Sequence, residues 1–198
     1  MAEESISKDS PKYVCFYCSA TFDTFDKLKA HILDEHKTEK VPVPEGFIRL
    51  TVNGQTYELQ VEPNWTLSYV IHDKLGWHGV KMFCDRGACG SCSVIMDRRP
   101  ILSCMALAIE CDGANIETAE GIAAAKHPLI EAYIKHHCMQ CGYCTPGFVV
   151  TAKALLDKNP NATEDEIKEA LAGNLCRCST YPQHSKAVLE AAEKLRGG

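Results

Sequence analysis

Apolar and polar residues alternate along FIRLTVNGQTYELQV, residues 47–61. Ile48, Leu50 and Val52 fall on one face of a strand, with Arg49 and Thr51 on the other. Tyr57, Leu59 and Val61 continue the period on a return strand, and Asn53-Gly54 between the two runs is a two-residue hairpin signal. Over residues 66–75 the period becomes helical: Leu67, Val70, Ile71 and Leu75 make one stripe, and Gly76 is placed to end it. His72 lies off the stripe and reads as solvated surface. SVIM (93–96), PILSC (100–104) and ALAIE (106–110) then read as short strands, with a last strand around Ile116.

From Ala123 onward the pattern predicts four helices. One opens at His127-Pro128, since proline suits the first helical position, and carries Leu129, Ile130, Tyr133 and Ile134. A second opens at Thr145-Pro146 and stops at Asn159-Pro160. Thr163 and Glu166 form a capping box for a third, and a fourth starts near Pro182 with Ala187, Val188, Leu189, Ala191, Ala192 and Leu195. Four short helices make a small bundle.

The 198 residues are 45% apolar, so a packed core needs no help from disulfides. A net charge of −5 argues against a nucleic-acid footprint over the whole chain. The N-terminal MAEESISKDS carries no basic n-region or apolar h-region, and no run is long enough to span a bilayer. A cytoplasmic, reducing location follows as the expectation, and there the twelve cysteines are metal ligands more often than disulfides.

Those cysteines fall into three sets. Cys15 and Cys18, followed after twelve residues by His31 and after four more by His36, have the C2H2 zinc spacing. Phe22 and Leu28 supply a small apolar core, and a unit this short needs the metal to fold. Its base-reading positions would be Thr24, Lys27 and Ala30, none of them arginine, and residues 11–40 balance five lysines against five acids. Docking on protein is therefore favoured over nucleic acid. Cys84, Cys89, Cys92 and Cys104 follow the C-x4-C-x2-C plus distant cysteine pattern of a plant-type 2Fe-2S site, with Gly87 and Gly90 giving the loop unusual dihedrals. Ser91 and Ser93 flank Cys92 as hydrogen-bond donors. Hairpin, helix, cluster loop and returning strands describe a β-grasp ferredoxin domain. The third set is CMQCGYC plus CRC. Cys141 and Cys144 form C-x2-C, but Cys138 precedes Cys141 by the same interval, so Cys138/Cys141 is an equal candidate pair. Cys176 and Cys178 form C-x-C, which suits two ligands on one iron. His136 and His137 adjoin this set without an evident carboxylate partner and read as helix-end surface residues.

The two cluster motifs, in this order, resemble the small iron–sulfur subunit of the molybdenum hydroxylases, the xanthine dehydrogenase, aldehyde oxidoreductase and carbon monoxide dehydrogenase group. The likeness spans residues 46 to 196. It implies that a glutamine followed by C-G-x-C-T-P-G and then C-R-C carries the second cluster. These map onto Gln140, Cys141, Cys144, Cys176 and Cys178, leaving Cys138 and Cys111 as non-ligand thiols. It further implies pterin contacts at Gln140 and Cys178, with the helical-domain cluster near the pterin and the ferredoxin-domain cluster nearer a flavin. The partners implied are a large subunit holding molybdopterin in a dinucleotide form and a medium subunit holding FAD, in a complex such as a dimer of heterotrimers.

The fold expected is α+β: a disordered lead (1–12), a ββα zinc finger (13–37), a linker (38–45), a plant-type 2Fe-2S ferredoxin domain (46–121) and a four-helix 2Fe-2S domain (122–198). The chain would hold two 2Fe-2S clusters and one zinc and perform no substrate chemistry itself. The alternative is a free-standing two-cluster ferredoxin-type carrier. The finger is an addition to the family pattern, expected to dock on a neighbouring subunit or recruit an electron-transfer partner.

Overall fold

A computed structural model describes residues 13–15, 17–36 and 46–197. The expected lead and linker lie outside them. Strands β1 (Tyr13–Val14) and β2 (Thr21–Phe22) pair antiparallel in front of helix α1 (Phe25–Glu35), giving a ββα unit. Thr24 caps α1, its hydroxyl accepting from the Lys27 amide at 3.4 Å. Phe25, Leu28 and Ile32, one helical face, are buried with Cys15. Phe47, the first residue of the next strand, joins them: its ring meets Phe25 edge-on, with centroids 4.9 Å apart.

Strands β3 (Phe47–Val52) and β4 (Gln55–Gln60) form the expected hairpin, closed by Asn53 and Gly54 at φ 51° and 80°. Both central residues are left-handed, which matches the twist of the flanking strands. Strands β5 (Ser93–Met96), β6 (Arg99–Leu102) and β7 (Asn115–Glu117) complete a five-stranded sheet of order β4-β3-β7-β5-β6. The β3–β7 pairing is parallel and the others are antiparallel. Helix α2 (Leu67–Tyr69) runs on as a π turn over Val70–Lys74, where the Leu75 amide reaches back to the Val70 carbonyl at 3.0 Å. Residues 66–75 are thus helical, but with a widened turn that keeps Leu67, Val70 and Ile71 buried.

ALAIE is not a strand. Ala108–Cys111 forms a 3₁₀ turn. The buried residues there, Ala108 and Cys111, are three apart, which is the 3₁₀ repeat and not the alternation of a strand. His72 is not free surface either: it is half-buried, with Nδ1 2.7 Å from the Val80 carbonyl oxygen.

The second half is helical: α3 (Ala119–Ala124), α4 (Pro128–Lys135), α5 (Thr145–Lys158), α6 (Glu164–Leu171) and α7 (Tyr181–Gly197). The four expected helices are α4 to α7, and α3 is an additional short one. The capping box at Thr163 and Glu166 is present in both directions. Val94 of β5 points into the ferredoxin core, while Ile95, on the opposite face, packs among Phe148, Val149 and Ile122 of the helical core.

Candidate metal and cluster sites

The loop from Cys84 to Cys92 turns through three left-handed residues, Asp85, Gly87 and Gly90. Cys89, Cys92 and Cys104 are buried and Cys84 is half-buried. Two sulfur pairs are in contact, Cys84 with Cys89 and Cys92 with Cys104. Desolvation opposes ionisation of Cys84. The Arg86 amide, the Cys89 thiol and the amides of Ala88 and Cys89 outweigh it and draw the thiol down to about 7. The Ala88 amide lies 3.3 Å from the sulfur. Burial and the Cys92 thiol push Cys104 up to about 12. Amides aimed at sulfur stabilise the negative charge of a thiolate-bound cluster, so the donor set fits an iron–sulfur centre.

The second set gathers at the start of α5. Cys144 is the N-cap of that helix, and the Cys178 and Cys141 sulfurs are 3.6 Å apart. Burial and the adjoining Cys176 push Cys144 up to about 12. Cys176 is lowered: desolvation resists, but the Thr180 hydroxyl and neighbouring amides prevail. The pairs are therefore Cys141 with Cys178 and Cys144 with Cys176. The two sulfurs of the C-x-C pair thus face different neighbours, Cys178 towards Cys141 and Cys176 towards Cys144. Cys176 is buried towards Thr180, whereas Cys178 is half-buried, and its carbonyl accepts from the exposed Gln140 amide at 3.2 Å. Cys138 stands apart in the helical core, its thiol donating to the Gln183 carbonyl at 3.2 Å, with burial raising it to about 11. Cys111 likewise donates to the Leu107 carbonyl.

The two cysteine loops interlock. The Leu175 amide donates to the Cys89 carbonyl at 2.9 Å, so one ligand candidate is bonded to the residue preceding another. The Asn174 side chain donates to the Gly90 carbonyl at 3.1 Å, buried. The backbones approach so closely that a Cβ on Gly90 would lie 2.7 Å from the Gly173 oxygen, and one on Gly147 2.4 Å from the Gly90 oxygen. Beside this seam Phe83, Tyr143 and Leu175 are exposed and line a cleft of about 320 Å³ that reaches Cys141, Cys144 and Cys178. Phe83 is 74% exposed, which is unusual for so large an apolar side chain. Ser93 donates to the Gly90 carbonyl at 2.7 Å, and Ser91 is buried.

His136 has a carboxylate after all. Its Nε2 lies 2.7 Å from Glu190 on α7, beyond the reach of local sequence. Lys135 bonds the same oxygen at 2.8 Å. Thr180 and His184 were also missed from the sequence, where the successive steps of four from Cys176 to Thr180 and from Thr180 to His184 were the available signal.

In the ββα unit Cys15 Sγ lies 3.5 Å from His36 Nε2, Cys18 Sγ 3.1 Å from His31 Nε2, and the two Nε2 atoms 3.3 Å apart. All four donor atoms lie within 4.8 Å of one another. A tetrahedral zinc with ordinary bond lengths separates two nitrogens by about 3.3 Å and a sulfur from a nitrogen by about 3.6 Å, so the donors fit that ion. Phe22 is half-buried and leans on the His31 ring, with centroids 4.8 Å apart. Lys27 is held by Asp23 at 2.8 Å, which takes up the one cation among the three base-reading positions.

Among known proteins, residues 50–116 match the 2Fe-2S iron-sulfur cluster binding domain family and residues 118–189 the 2Fe-2S binding domain family. The nicotine 6-hydroxylase small subunit of Paenarthrobacter nicotinovorans is 41% identical over 73% of this chain and 88% of its own length. The nicotinate dehydrogenase small FeS subunit of Eubacterium barkeri is 42% identical over 74% and 95%. The crystal structure of quinoline 2-oxidoreductase from Pseudomonas putida 86 superposes with a TM-score of 0.73 at 37% identity, covering 77% of this chain and 96% of that one. Fold and sites together define a protein of two 2Fe-2S domains, a ferredoxin domain followed by a helical one. The chain belongs to the family of iron–sulfur small subunits of the molybdenum hydroxylases.

Proposed function

We propose that this chain relays electrons through two 2Fe-2S clusters between a molybdopterin centre on a large subunit and a flavin subunit or external redox partner. Cys84, Cys89, Cys92 and Cys104 hold one cluster. Cys141, Cys144, Cys176 and Cys178 hold the other. The observation that carries this reading is the interlock of the two loops, Leu175 amide to Cys89 carbonyl, which joins the two ligand sets through a single hydrogen bond. A 2Fe-2S cluster supplies one-electron chemistry, and the protein sets its potential through hydrogen bonds to sulfur and through burial. Here Ala88 and Thr180 face the sulfurs of Cys84 and Cys176, and the apolar cleft around Phe83, Tyr143 and Leu175 offers a docking face beside the helical-domain cluster. Gln140 and the Cys178 backbone, joined by a hydrogen bond at 3.2 Å, are the pterin contacts.

Residues 13–37 hold one zinc through Cys15, Cys18, His31 and His36. Their role is protein docking. Exposed Val14 and Tyr17 line a cleft of about 780 Å³ between the ββα unit and β4, which is a surface for a neighbouring protein chain. Elemental analysis of the purified chain tests the metal assignment, with about four irons expected per zinc. Iron near zero with several zincs refutes it. Affinity purification of the native complex tests the relay, with a molybdopterin protein and a flavoprotein expected alongside. A chain that purifies alone while carrying both clusters is instead a free carrier.

A further inference from the structure

Behind the helical-domain sulfurs lies a buried polar chain, in which a His184 ring nitrogen comes within 4.8 Å of the Cys144 and Cys176 sulfurs. Thr180, at the start of α7, places its hydroxyl oxygen 3.1 Å from Cys176 Sγ and 3.0 Å from His184 Nε2. All three residues are buried, and His184 is fully so. Its ring is clamped flat on Phe148, with centroids 3.9 Å apart and planes 2° from parallel, and Tyr133 packs beside it. A histidine sealed among Phe148, Tyr133 and aliphatic helix faces stabilises little by packing alone, since a leucine would fill such a place without desolvating two ring nitrogens. A neutral imidazole carries one proton, on Nδ1 or on Nε2.

We infer that Thr180 and His184 form a fixed hydrogen-bond relay that raises the reduction potential of the helical-domain cluster by donating to the sulfur of Cys176. The inference rests on the cluster assignment proposed above. The proton placement follows from counting donors. A thiolate bound to iron only accepts, and the threonine hydroxyl has a single hydrogen. Both contacts are hydrogen bonds in one arrangement: the hydroxyl donates to Sγ, and His184 donates from Nε2 to the threonine oxygen. Nδ1 is then the bare acceptor, and it is the ring atom that has no partner among the described residues. With the other tautomer the hydroxyl turns to the histidine and presents a lone pair to the thiolate. The imidazole therefore acts through Thr180 as a positioning residue and fixes the direction of the hydroxyl. An electron taken up by this cluster adds negative charge to the sulfurs, and a donor held on one of them favours the reduced form.

The test is an EPR-monitored redox titration of the full chain with both clusters loaded, the ferredoxin-domain cluster serving as internal control. Thr180→Val keeps the shape and removes the donor. It should change the oxidised-to-reduced ratio of the helical-domain cluster about tenfold at a fixed potential, a fall of about 59 mV for a one-electron couple. Thr180→Ser should restore the wild-type value. His184→Phe, which keeps the stack, should lower the potential by a smaller amount, and His184→Gln, whose amide nitrogen can occupy the Nε2 position, should recover it. Should Thr180→Val load poorly, Thr180→Ala is read in its place. Unchanged potentials in both hydroxyl-less variants overturn the relay, as do equal shifts in both clusters. Loss of iron on His184→Phe but not on Thr180→Val also overturns it, because His184 would then be a ligand. A wild-type chain with only one cluster refutes instead the ligand assignment on which the relay rests.

Discussion

Gly147 lies in the first turn of α5, with its α-carbon against the ferredoxin loop, and Gly147→Ala sets two effects of opposite sign against each other. In helix propensity alone alanine is favoured over glycine by about 0.8–1.0 kcal/mol, so a helix considered in isolation gains stability. The added Cβ, however, falls 2.4 Å from the Gly90 carbonyl oxygen and 3.2 Å from the Asn174 amide nitrogen. That oxygen is backbone and cannot swing aside. It accepts from Asn174 at 3.1 Å, from the Ser93 hydroxyl at 2.7 Å and from the Ser93 amide at 3.2 Å. Restoring ordinary contact needs an opening of roughly 1 Å. Overpacking of this kind costs about 1–3 kcal/mol, and loosening a buried hydrogen bond adds about 1 kcal/mol. The penalty wins by about 1–3 kcal/mol, and at about 2–4 °C per kcal/mol for a chain of this size the melting midpoint falls by several degrees. Gly173→Ala is the control, because its Cβ meets nothing within 4 Å and its φ is ordinary. Thermal melts of the cluster-loaded chain, followed by far-UV circular dichroism and visible absorbance, compare the two variants. A Gly147→Ala protein melting at or above wild type would show that the seam is not close-packed and would refute the reasoning.

Cys141→Ser should lose the helical-domain cluster and about half the iron, whereas Cys138→Ala should keep all of it and only lower stability, by about 1 kcal/mol for a buried thiol in hydrogen-bond contact; iron assays decide between them. Lys135 and His136, with Lys194 behind, hold the Glu190 carboxyl down at about 2. An unfolded glutamate titrates near about 4.3, so the clasp between α4 and α7 is at full strength above that pH and is lost as the pH falls towards 2. Glu190→Gln should flatten that part of the stability profile, and an unchanged acid limb would contradict the clasp. Chelating zinc should unfold residues 13–36 while leaving both clusters in place, seen as a loss of helical dichroism at constant visible absorbance; bleaching of the clusters at the same chelator concentration would count against a separate zinc unit.

Most of the architecture could be read from local patterns. The Asn53-Gly54 hairpin, the α2 stripe, the box at Thr163 and Glu166 and the start of α5 at Thr145-Pro146 each depend on residues within a few positions of one another. The misreadings share a different cause. ALAIE is apolar enough for a strand, yet the sheet already has its neighbours, and Ala108 instead donates its amide to the Trp65 carbonyl at 2.9 Å. His136 depends on Glu190 and His72 on a bend at Val80, neither of which a period along the chain encodes. The cysteine spacings indicated which residues belong to each site. They left open the place of Cys138 and which sulfur faces which, because that is decided where α5 and α7 meet.

Strand β5 has one further consequence. Its consecutive residues Val94 and Ile95 are buried in two different cores, so the strand is a party wall with a room on each side. Beside this wall, Glu117 at the end of β7 pairs with Lys153 of α5 at 3.1 Å, and the next residue, Thr118, is bonded to Asn53 of the hairpin turn at 2.9 Å. Cutting the chain near residue 118 would therefore leave Ile95 bare on one fragment and a hole among the helices of the other. The gap between the two cysteine sets is spanned by this shared packing and by the Leu175–Cys89 hydrogen bond. On the proposed relay, electron passage between them is accordingly a step whose rate solvent viscosity should not govern.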